Sequence, residues 1–275
     1  MLLSVACSLI HAQQPLNVMT FNIRLDTPRD SANAWPLRKD KAASQIRFHE
    51  AHIIGVQEAF NHQLKDLKER LPRYAWVGAG RDDGKEKGEY SAIIYDSSRL
   101  RVLQSETFWL SENSQTPGAK GWDAAFPRVV TWAYMKDLVT NKMFYVFNTH
   151  FDHMGKVARA ESARMLARAV KDLGGSLPCI ILGDFNATPD DEPIRILLNA
   201  GDMTLTDSKG VSTAGHYGPD GTFNAFQSKE TSDLPIDYIF IKNGPTVLKH
   251  ATLSQSWGGR FSSDHFPVYA RIVIP

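Results

Sequence analysis

The sequence predicts an α/β fold, and two observations lead to this class. Short apolar segments rich in β-branched residues recur along the 275 residues, each bounded by Gly, Pro, Asn or Asp, as is typical of strands. Charged segments with apolar residues at helical spacing lie between some of them. Pattern alone leaves two architectures open, either one doubly wound sheet or two packed sheets flanked by helices.

Each segment has its own signal. The strands are predicted at apolar runs, in chain order 16–23, 53–57, 74–78, 91–95, 102–110, 129–137, 143–149, 179–183, 238–241 and 268–274. The helices are predicted at periodic segments, 38–49, 60–71, 155–173 and 192–199, the third of which ends at a Gly pair. Gly-, Ser- and Asp-rich stretches at 111–127 and 209–235 are predicted loops.

The N-terminal segment and the composition of the rest of the chain limit the class and the location of the protein. Residues 1–14, MLLSVACSLIHAQQ, form a short apolar run that predicts a signal peptide cleaved near Ala12 and export to the periplasm or outside the cell; a disordered N-terminus of a cytoplasmic protein is the alternative. Residues 15–275 contain no linker and are predicted to form one catalytic domain. Two cysteines exclude a disulfide framework, and no apolar stretch is long enough for a membrane span.

Net charge shows no basic excess over the whole chain, and a local basic patch stays open. With 31 Lys and Arg against 30 Asp and Glu, the formal charge is +1. Proteins that bind duplex nucleic acid through its phosphates usually carry a basic excess, so this balance argues against a duplex-specific nuclease.

Polar residues of similar kinds end several of the predicted strands, where a rigid scaffold can aim them into one cleft. They are Asn22, Glu58, His150, Asp152, Asp184 and Asn186, and they are joined near the C-terminus by Asp237, Asp264 and His265. The carboxylates Glu58, Asp184 and Asp264, together with amide oxygens, form an oxygen-rich set that suits Mg²⁺ or Mn²⁺ better than zinc. Any one of these residues alone would read as a cap or a turn.

The motifs MTFNIR, QE, NTHFDH, GDFN, IDYIF and SDHFPV, in this order, resemble the endonuclease/exonuclease/phosphatase superfamily of DNase I-like enzymes. The resemblance covers about residues 16–274. It implies a four-layered α/β sandwich of two packed central mixed β-sheets flanked by helices, with the active site at one end. It also implies divalent-metal-dependent hydrolysis of a phosphate ester, with one or two Mg²⁺, Mn²⁺ or Ca²⁺ ions.

The same resemblance assigns catalytic roles. It makes His265 the general base, with Asp237 fixing its tautomer and orientation. Asp184 and Asn186 align the attacking water and hold a phosphate oxygen, and His150 binds the phosphate or assists the leaving group.

For the metal, the resemblance implies Glu58 as the main ligand, supported by Asn22 and Asp264. Outside the family motifs, Arg128 ends a predicted loop and is a candidate clamp for the substrate phosphate, with an ordinary surface arginine as the alternative. Five acidic residues around one cleft predict a locally negative pocket that needs a cation; they are Glu58, Asp152, Asp184, Asp237 and Asp264.

Several further residues have two interpretations. Asp152 either orients His150 or caps a turn. The loop aromatics Trp122, Phe223 and Phe226 either form a substrate wall or hold their loops on the body, and His153 has no predicted role. The basic group Arg29, Arg38, Lys39 and Lys41 is predicted to be a solvated helix entrance.

The substrate is left open between a nucleotide, nucleic acid, a sugar phosphate and a lipid head group, and between diester and monoester, because this superfamily keeps its phosphate centre and varies its loops. The preferred hypothesis is an exported bacterial hydrolase that acts as a monomer without an obligate protein partner. The alternative is a catalytically silent binding module, which the intact acidic and histidine set disfavours.

Overall fold

The computed structural model describes residues 14–227 and 234–275. The expected signal peptide therefore lies almost wholly outside the described residues. Within them, no helix has the length and apolar character needed to cross a membrane.

The elements follow one another as short strands with few helices. The strands are β1 Leu16–Asn22, β2 Ile53–Ala59, β3 Tyr74–Val77, β4 Tyr90–Asp96, β5 Leu100–Trp109, β6 Val129–Asp137, β7 Met143–His150, β8 Cys179–Asp184, β9 Thr206–Asp207, β10 His216–Tyr217, β11 Asp237–Lys242, β12 Thr246–Thr252 and β13 Val268–Val273. The helices are α1 Lys39–Phe48, α2 Asn61–Arg70, α3 Lys156–Gly174 and α4 Glu192–Leu198, with 3-10 turns at Pro28–Asn33, Trp35–Leu37 and Gly201–Met203.

The strands form two mixed sheets packed face to face. The first has the order β10-β12-β13-β1-β2-β4-β3, and the second has the order β5-β6-β7-β8-β11-β9. One core lies between the sheets, and each outer face carries its own core under a pair of helices, α1 and α2 on the first sheet and α3 and α4 on the second. The predicted four-layered α/β sandwich is confirmed.

Alternation along β1 shows how the sequence produces these layers. Leu16 and Val18 point between the sheets, whereas Met19 and Phe21 point toward the outer helices. A strand covered on both faces has no solvent side, which explains its almost continuous apolar run.

The predicted strands and helices are confirmed, with ends within two residues of those observed. The predicted loop 111–127 contains no helix or strand, whereas the loop 209–235 contains the two-residue strand β10. Sequence patterns missed β9, β10 and β12. The β12 pattern is interrupted by Lys249 and His250 and by an irregular register with β13 at that point.

A buried polar network joins the sheets just below one end of the sandwich. The Asn148 side chain of β7 donates hydrogen bonds to the carbonyls of Val56 and Ala92 in the first sheet and accepts one from Gln57. Gly55 makes room for it: a Cβ built on this glycine would lie 2.6 Å from Asn148 Oδ1. The network therefore fixes β2 against β7 close to the residues that end both strands.

Candidate active site

All nine residues singled out by the motif reading meet at one end of the sandwich. β1, β2, β7 and β8 end there, and the antiparallel strand β11 begins there. A cavity of about 520 Å³ opens at this end. Its lining residues are Arg24, Leu25, Glu58, Arg81, Glu89, Phe126, Arg128, His150, His153, Asp184, Asn186, Phe223, Ile236, Asp264 and His265. Asn22, Asp152 and Asp237 do not line it but are hydrogen-bonded to residues that do.

His265 and Asp237 form a buried hydrogen-bonded pair. The imidazole Nδ1 donates to Asp237 Oδ2 at 2.9 Å, so Nε2 is the nitrogen left for chemistry. Burial opposes the charged imidazole, but Asp237 and Asp184 outweigh it and raise the pKa of His265 well above its usual value. The ring edge of Phe223 packs on the imidazole with centroids 5.1 Å apart. The pair thus has the orientation of a general base held by a carboxylate.

Asp184 lies at the centre of the polar cluster because of strand register. It is opposite His150 of β7 on one side and opposite Asp237 of β11 on the other. Burial and the neighbouring Asp237 raise the pKa of Asp184 to about 7. Asp184 accepts hydrogen bonds from Asn22 Nδ2 at 2.9 Å and from the Asn186 backbone N–H at 2.9 Å.

Glu58 owes its direction to an irregular strand. The β2–β4 register shifts between Val56 and Ala59, and Glu58 has a left-handed backbone with φ of 60°. Bulges of this kind re-aim a side chain, and such backbone strain is common at functional sites. Burial favours the protonated acid, but the charge of His265 and hydrogen bonds from Asn22 and the Leu25 N–H outweigh it and lower the pKa of Glu58. Glu58 is therefore held as an anion.

Asn22 makes hydrogen bonds to two carboxylates, a role that the sequence did not predict. Its amide nitrogen donates to both Glu58 Oε1, at 3.1 Å, and Asp184 Oδ2. Its Oδ1 accepts the backbone N–H of Arg24 at 3.0 Å, which fixes the amide orientation. In this arrangement Asn22 bridges two carboxylates, and its expected role as a metal ligand stays a prediction.

His150 is held as a neutral imidazole. Burial, with Arg128 and Arg81 nearby, lowers its pKa well below the usual value. Asn186 Nδ2 donates to the Phe151 carbonyl, which can only accept, and also lies 3.0 Å from His150 Nε2. His150 Nε2 therefore accepts and Nδ1 carries the proton. That Nδ1 is buried and has no hydrogen-bond partner among the described residues.

Arg128 is buried at the cavity wall, so the surface-arginine alternative does not hold. Its Nε donates to Asp152 Oδ2 at 3.4 Å and its Nη2 to His153 Nδ1 at 3.1 Å. Asp152 also accepts the backbone N–H groups of Met154 and Gly155 before α3, so it is a turn cap that also holds Arg128.

The positions of Arg38 and of two loop aromatics test two further expectations from the sequence. Arg38 is not solvated: its guanidinium is buried and donates to carbonyls including those of Ile23, Arg24 and Ser262. Its pKa is lowered to about 10 by burial. Of the three loop aromatics, Phe223 lines the cavity, whereas Phe226 lies against the Arg38 guanidinium and holds its loop to the body.

Sequence analysis missed four charged or aromatic lining residues, Arg24, Arg81, Glu89 and Phe126. Arg24 lies 3.7 Å from both Glu58 and Asp264 and 3.1 Å from Asp30. The available signal was its place as the last residue of the MTFNIR motif. The other three come from loop segments whose charged or small residues look solvated in the sequence.

The residues fit a divalent cation. Asp184, Asp237 and His265 each offer a ligand atom, and these atoms lie within 4.8 Å of one another. The expected ligands Glu58 and Asp264 are not in that group, and their role in holding an ion stays a prediction. An oxygen-rich donor set of this kind suits a hard cation such as Mg²⁺.

The chain is similar to proteins of known family. A crystal structure of an endonuclease/exonuclease/phosphatase from Bacteroides vulgatus is 37% identical, with a TM-score of 0.91, 96% of this chain and 100% of that chain being covered. The mannosyl-6-phosphatase of Bacteroides thetaiotaomicron is 38% identical, with a TM-score of 0.89 and coverage of 94% and 100%. Protein angel of Drosophila melanogaster is 24% identical over 268 residues, 88% of this chain and 73% of that protein.

The model of the Endonuclease/Exonuclease/phosphatase family matches residues 19–265, which span both sheets and the cavity. Members of this family are hydrolases that act on phosphate esters. On the strength of that match, together with the fold and the strand-end cluster, the chain belongs to the Endonuclease/Exonuclease/phosphatase family.

Proposed function

We propose that the protein is a divalent-metal-dependent phosphomonoesterase that removes phosphate from a sugar phosphate by in-line attack of water. The observation that carries this proposal is the His265–Asp237 pair, which faces a cavity lined by acidic residues on one part of its wall and by Arg128 on another. The pair supplies a base, and the arginine supplies positive charge for a phosphoryl group.

The proton transfer uses His265 Nε2. With Nδ1 bound to Asp237, the imidazole takes the proton from the attacking water and is stabilised as the cation while the water oxygen bonds to phosphorus. The bond from phosphorus to the sugar oxygen breaks as the new bond forms, and the sugar leaves as the alcohol after its oxygen takes a proton from solvent water. Asp184 lies 3.8 Å from His265 Nε2 and accepts a hydrogen bond from that water in our proposal. Asn22 keeps Asp184 and Glu58 in place.

The phosphoryl oxygens are bound by Asn186, His150 and Arg128 in this proposal. Asn186 and His150 lie side by side at 3.0 Å, and Arg128 is held by Asp152 and His153. Because all three side chains are paired, and those of His150 and Arg128 are buried, they are oriented before substrate arrives, which is what stabilisation of developing charge requires.

Glu58 and Asp264 would hold the ion, and Arg24 lies 3.7 Å from each of them. When bound, a divalent ion polarises a phosphoryl oxygen and offsets the carboxylates that raise the pKa of His265. Ligands of this type accept Mg²⁺, Mn²⁺ or Ca²⁺, and one or two ions are compatible with the set.

A monoester of a sugar is favoured over nucleic acid for three reasons. The formal charge of +1 supplies no extended basic surface for a polymer backbone. A relative with 38% identity, matched over its whole chain, is a mannosyl-6-phosphatase. A cavity of about 520 Å³ also falls within the range of about 300–1,000 Å³ that usually holds one small ligand.

A substrate panel tests the proposal. The purified protein is assayed with Mg²⁺, Mn²⁺ and Ca²⁺ on hexose 6-phosphates, p-nitrophenyl phosphate, bis-p-nitrophenyl phosphate, oligo(A), supercoiled plasmid and sphingomyelin. We expect the highest kcat/KM on the hexose 6-phosphates. Preference for a diester contradicts the monoesterase, and absence of turnover on every ester with every ion favours the binding module.

A further inference from the structure

One part of the cavity wall has no role in the chemistry described above. It is formed by Arg81, Glu89 and Phe126, called here the leaving-group wall. None of these residues hydrogen-bonds to the His265–Asp237 pair or to Asp184. They come from two loop segments, one on either side of β4 and β5, so the fold brings them together from distant parts of the chain.

The arginine of this wall is held on several sides. Arg81 Nη1 and Nη2 donate to the two carboxylate oxygens of Glu89, both at 2.7 Å. The guanidinium lies over the ring of Phe126 at 5.2 Å from its centroid. Phe126 in turn stacks on His153, the residue that Arg128 contacts. The wall is therefore continuous with the proposed phosphate clamp.

The exposure of these side chains suits contact with a ligand. The Arg81 and Glu89 side chains are 10% and 13% exposed, so they are largely shielded from water but still line the cavity. Phe126 is 47% exposed, a large exposed fraction for an aromatic ring at the edge of a cavity. Burial raises the pKa of Glu89, and the Arg81 guanidinium partly offsets that effect.

The chemistry of the wall matches a polyhydroxylated ring. Hydroxyl groups both donate and accept, so they can donate to the remaining lone pairs of Glu89 and accept from guanidinium N–H groups. The face of a sugar ring carries C–H groups that pack on an aromatic ring. A lipid tail would leave the charged pair unsolvated, and a second phosphate would be repelled by Glu89.

We propose that Arg81, Glu89 and Phe126 form the subsite that recognises the sugar ring of the leaving group, a specificity that rests on the proposed phosphomonoesterase function. The ester phosphate lies between His265 and Arg128, and the hydroxyl groups of the sugar contact the leaving-group wall. The wall selects the alcohol, and the acidic cluster cleaves its phosphate.

The first test compares two esters. For each variant, kcat/KM is measured on a hexose 6-phosphate and on phenyl phosphate, which has no hydroxyl groups on its leaving group. We expect Glu89→Gln to lower the ratio of the two values by about 10- to 100-fold, since a site built to bond hydroxyls loses that discrimination when a partner is removed. We expect Phe126→Ala to lower the same ratio and Phe126→Trp to preserve it.

A matched control separates recognition from stability. Arg99 and Asp137 form a similar two-bond pair at 3.0 Å, on the β5–β6 side of the second sheet and away from the cavity lining. Asp137→Asn breaks a comparable pair and should leave the ratio unchanged. A Glu89→Gln protein with a wild-type ratio overturns the subsite, as does an equal drop in Asp137→Asn.

A binding measurement distinguishes failure of the subsite from failure of the proposed function. Two proteins, the His265→Ala variant and the double variant that also carries Glu89→Gln, are titrated calorimetrically with the same two esters in the presence of Mg²⁺. Selective weakening of hexose 6-phosphate binding supports the subsite even if the wild type hydrolyses no monoester. Equal weakening of both esters, or of neither, overturns it.

Discussion

Nδ1 of His265 lies 2.9 Å from Oδ2 of Asp237 in a buried contact. His265 belongs to the SDHFPV motif, and Asp237 is the first residue of β11. Replacing Asp237 by Asn removes the charge that favours the imidazolium and allows the wrong tautomer. We expect kcat on a phosphomonoester to fall by about 10²- to 10⁴-fold. Asp207→Asn, a carboxylate on the neighbouring edge strand, is the control and should keep its kcat. A fully active Asp237→Asn enzyme would contradict the assignment.

The three central side chains are each expected to be indispensable. His265→Ala, Asp184→Ala and Glu58→Ala should reduce turnover by several orders of magnitude, because each removes the base or a charge that no neighbour replaces. Circular dichroism and thermal melting should show folded proteins. An active His265→Ala enzyme would show that another group takes the proton.

Metal dependence follows from the concentration of carboxylates at one end of a nearly neutral chain. The side chains of Glu58, Asp184 and Asp264 are only 13%, 1% and 10% exposed, and the repulsion between their carboxylates is relieved when a cation binds. We expect EDTA to abolish activity and added Mg²⁺ or Mn²⁺ to restore it and raise Tm. Hydrolysis that persists in EDTA, with Tm unchanged by metal, would count against the proposal.

Gly55 should tolerate no side chain. An alanine Cβ there would lie 2.6 Å from Asn148 Oδ1 and 2.8 Å from the Leu182 Cβ, which belong to the opposite sheet. We expect Gly55→Ala to lower the free energy of unfolding by about 1–3 kcal/mol through overpacking, measured by urea denaturation. Gly210→Ala is the control, because a Cβ there would have its nearest neighbour atom, the carbonyl oxygen of Asp207, 3.8 Å away. Equal stability of the two variants would refute the close packing.

His250 should make the protein sensitive to acid. Burial and the neighbouring His216 lower its pKa to about 3, and its Nδ1 contacts His216 Nδ1 at 2.9 Å. Between about pH 6.5 and 3 the unfolded chain binds a proton that the folded chain excludes. This contribution to stability is complete above pH 6.5 and falls by up to about 1.4 kcal/mol per pH unit below it. We expect His250→Gln to show a shallower pH dependence in denaturation, and identical slopes would contradict the prediction.

The sequence predicted the layers well because both signals that it used are local. Strands such as β6 and helices such as α3 follow from periodicity and end at recognisable residues. Strand β12 was missed because its partner β13 supplies the pairing, while Lys249 and His250 make the segment look polar. Tertiary pairing here overrides local propensity.

For the site, the strand-end motifs predicted residues that do lie together in the structure, whereas the hydrogen bonds between them could not be predicted from the sequence. The direction of Asn22 depends on the Arg24 N–H, and the burial of Arg38 depends on carbonyls from segments as far apart as Ile23 and Ser262. The segment RDDGKEKGE has the composition of a solvated loop, so nothing in it marked Arg81 and Glu89 as a pair facing a cavity.

The polar groups at the end of the sandwich come from both sheets, Asn22 and Glu58 from the first and His150, Asp184 and Asp237 from the second. A relative slide of the sheets by one ångström would therefore misalign the base, the acids and the phosphate clamp together. The hydrogen bonds of Asn148 hold the two sheets in their relative position. The rate of the proposed reaction therefore depends on the packing of the two sheets, and substitutions in the Asn148 network can change kcat without contacting the substrate.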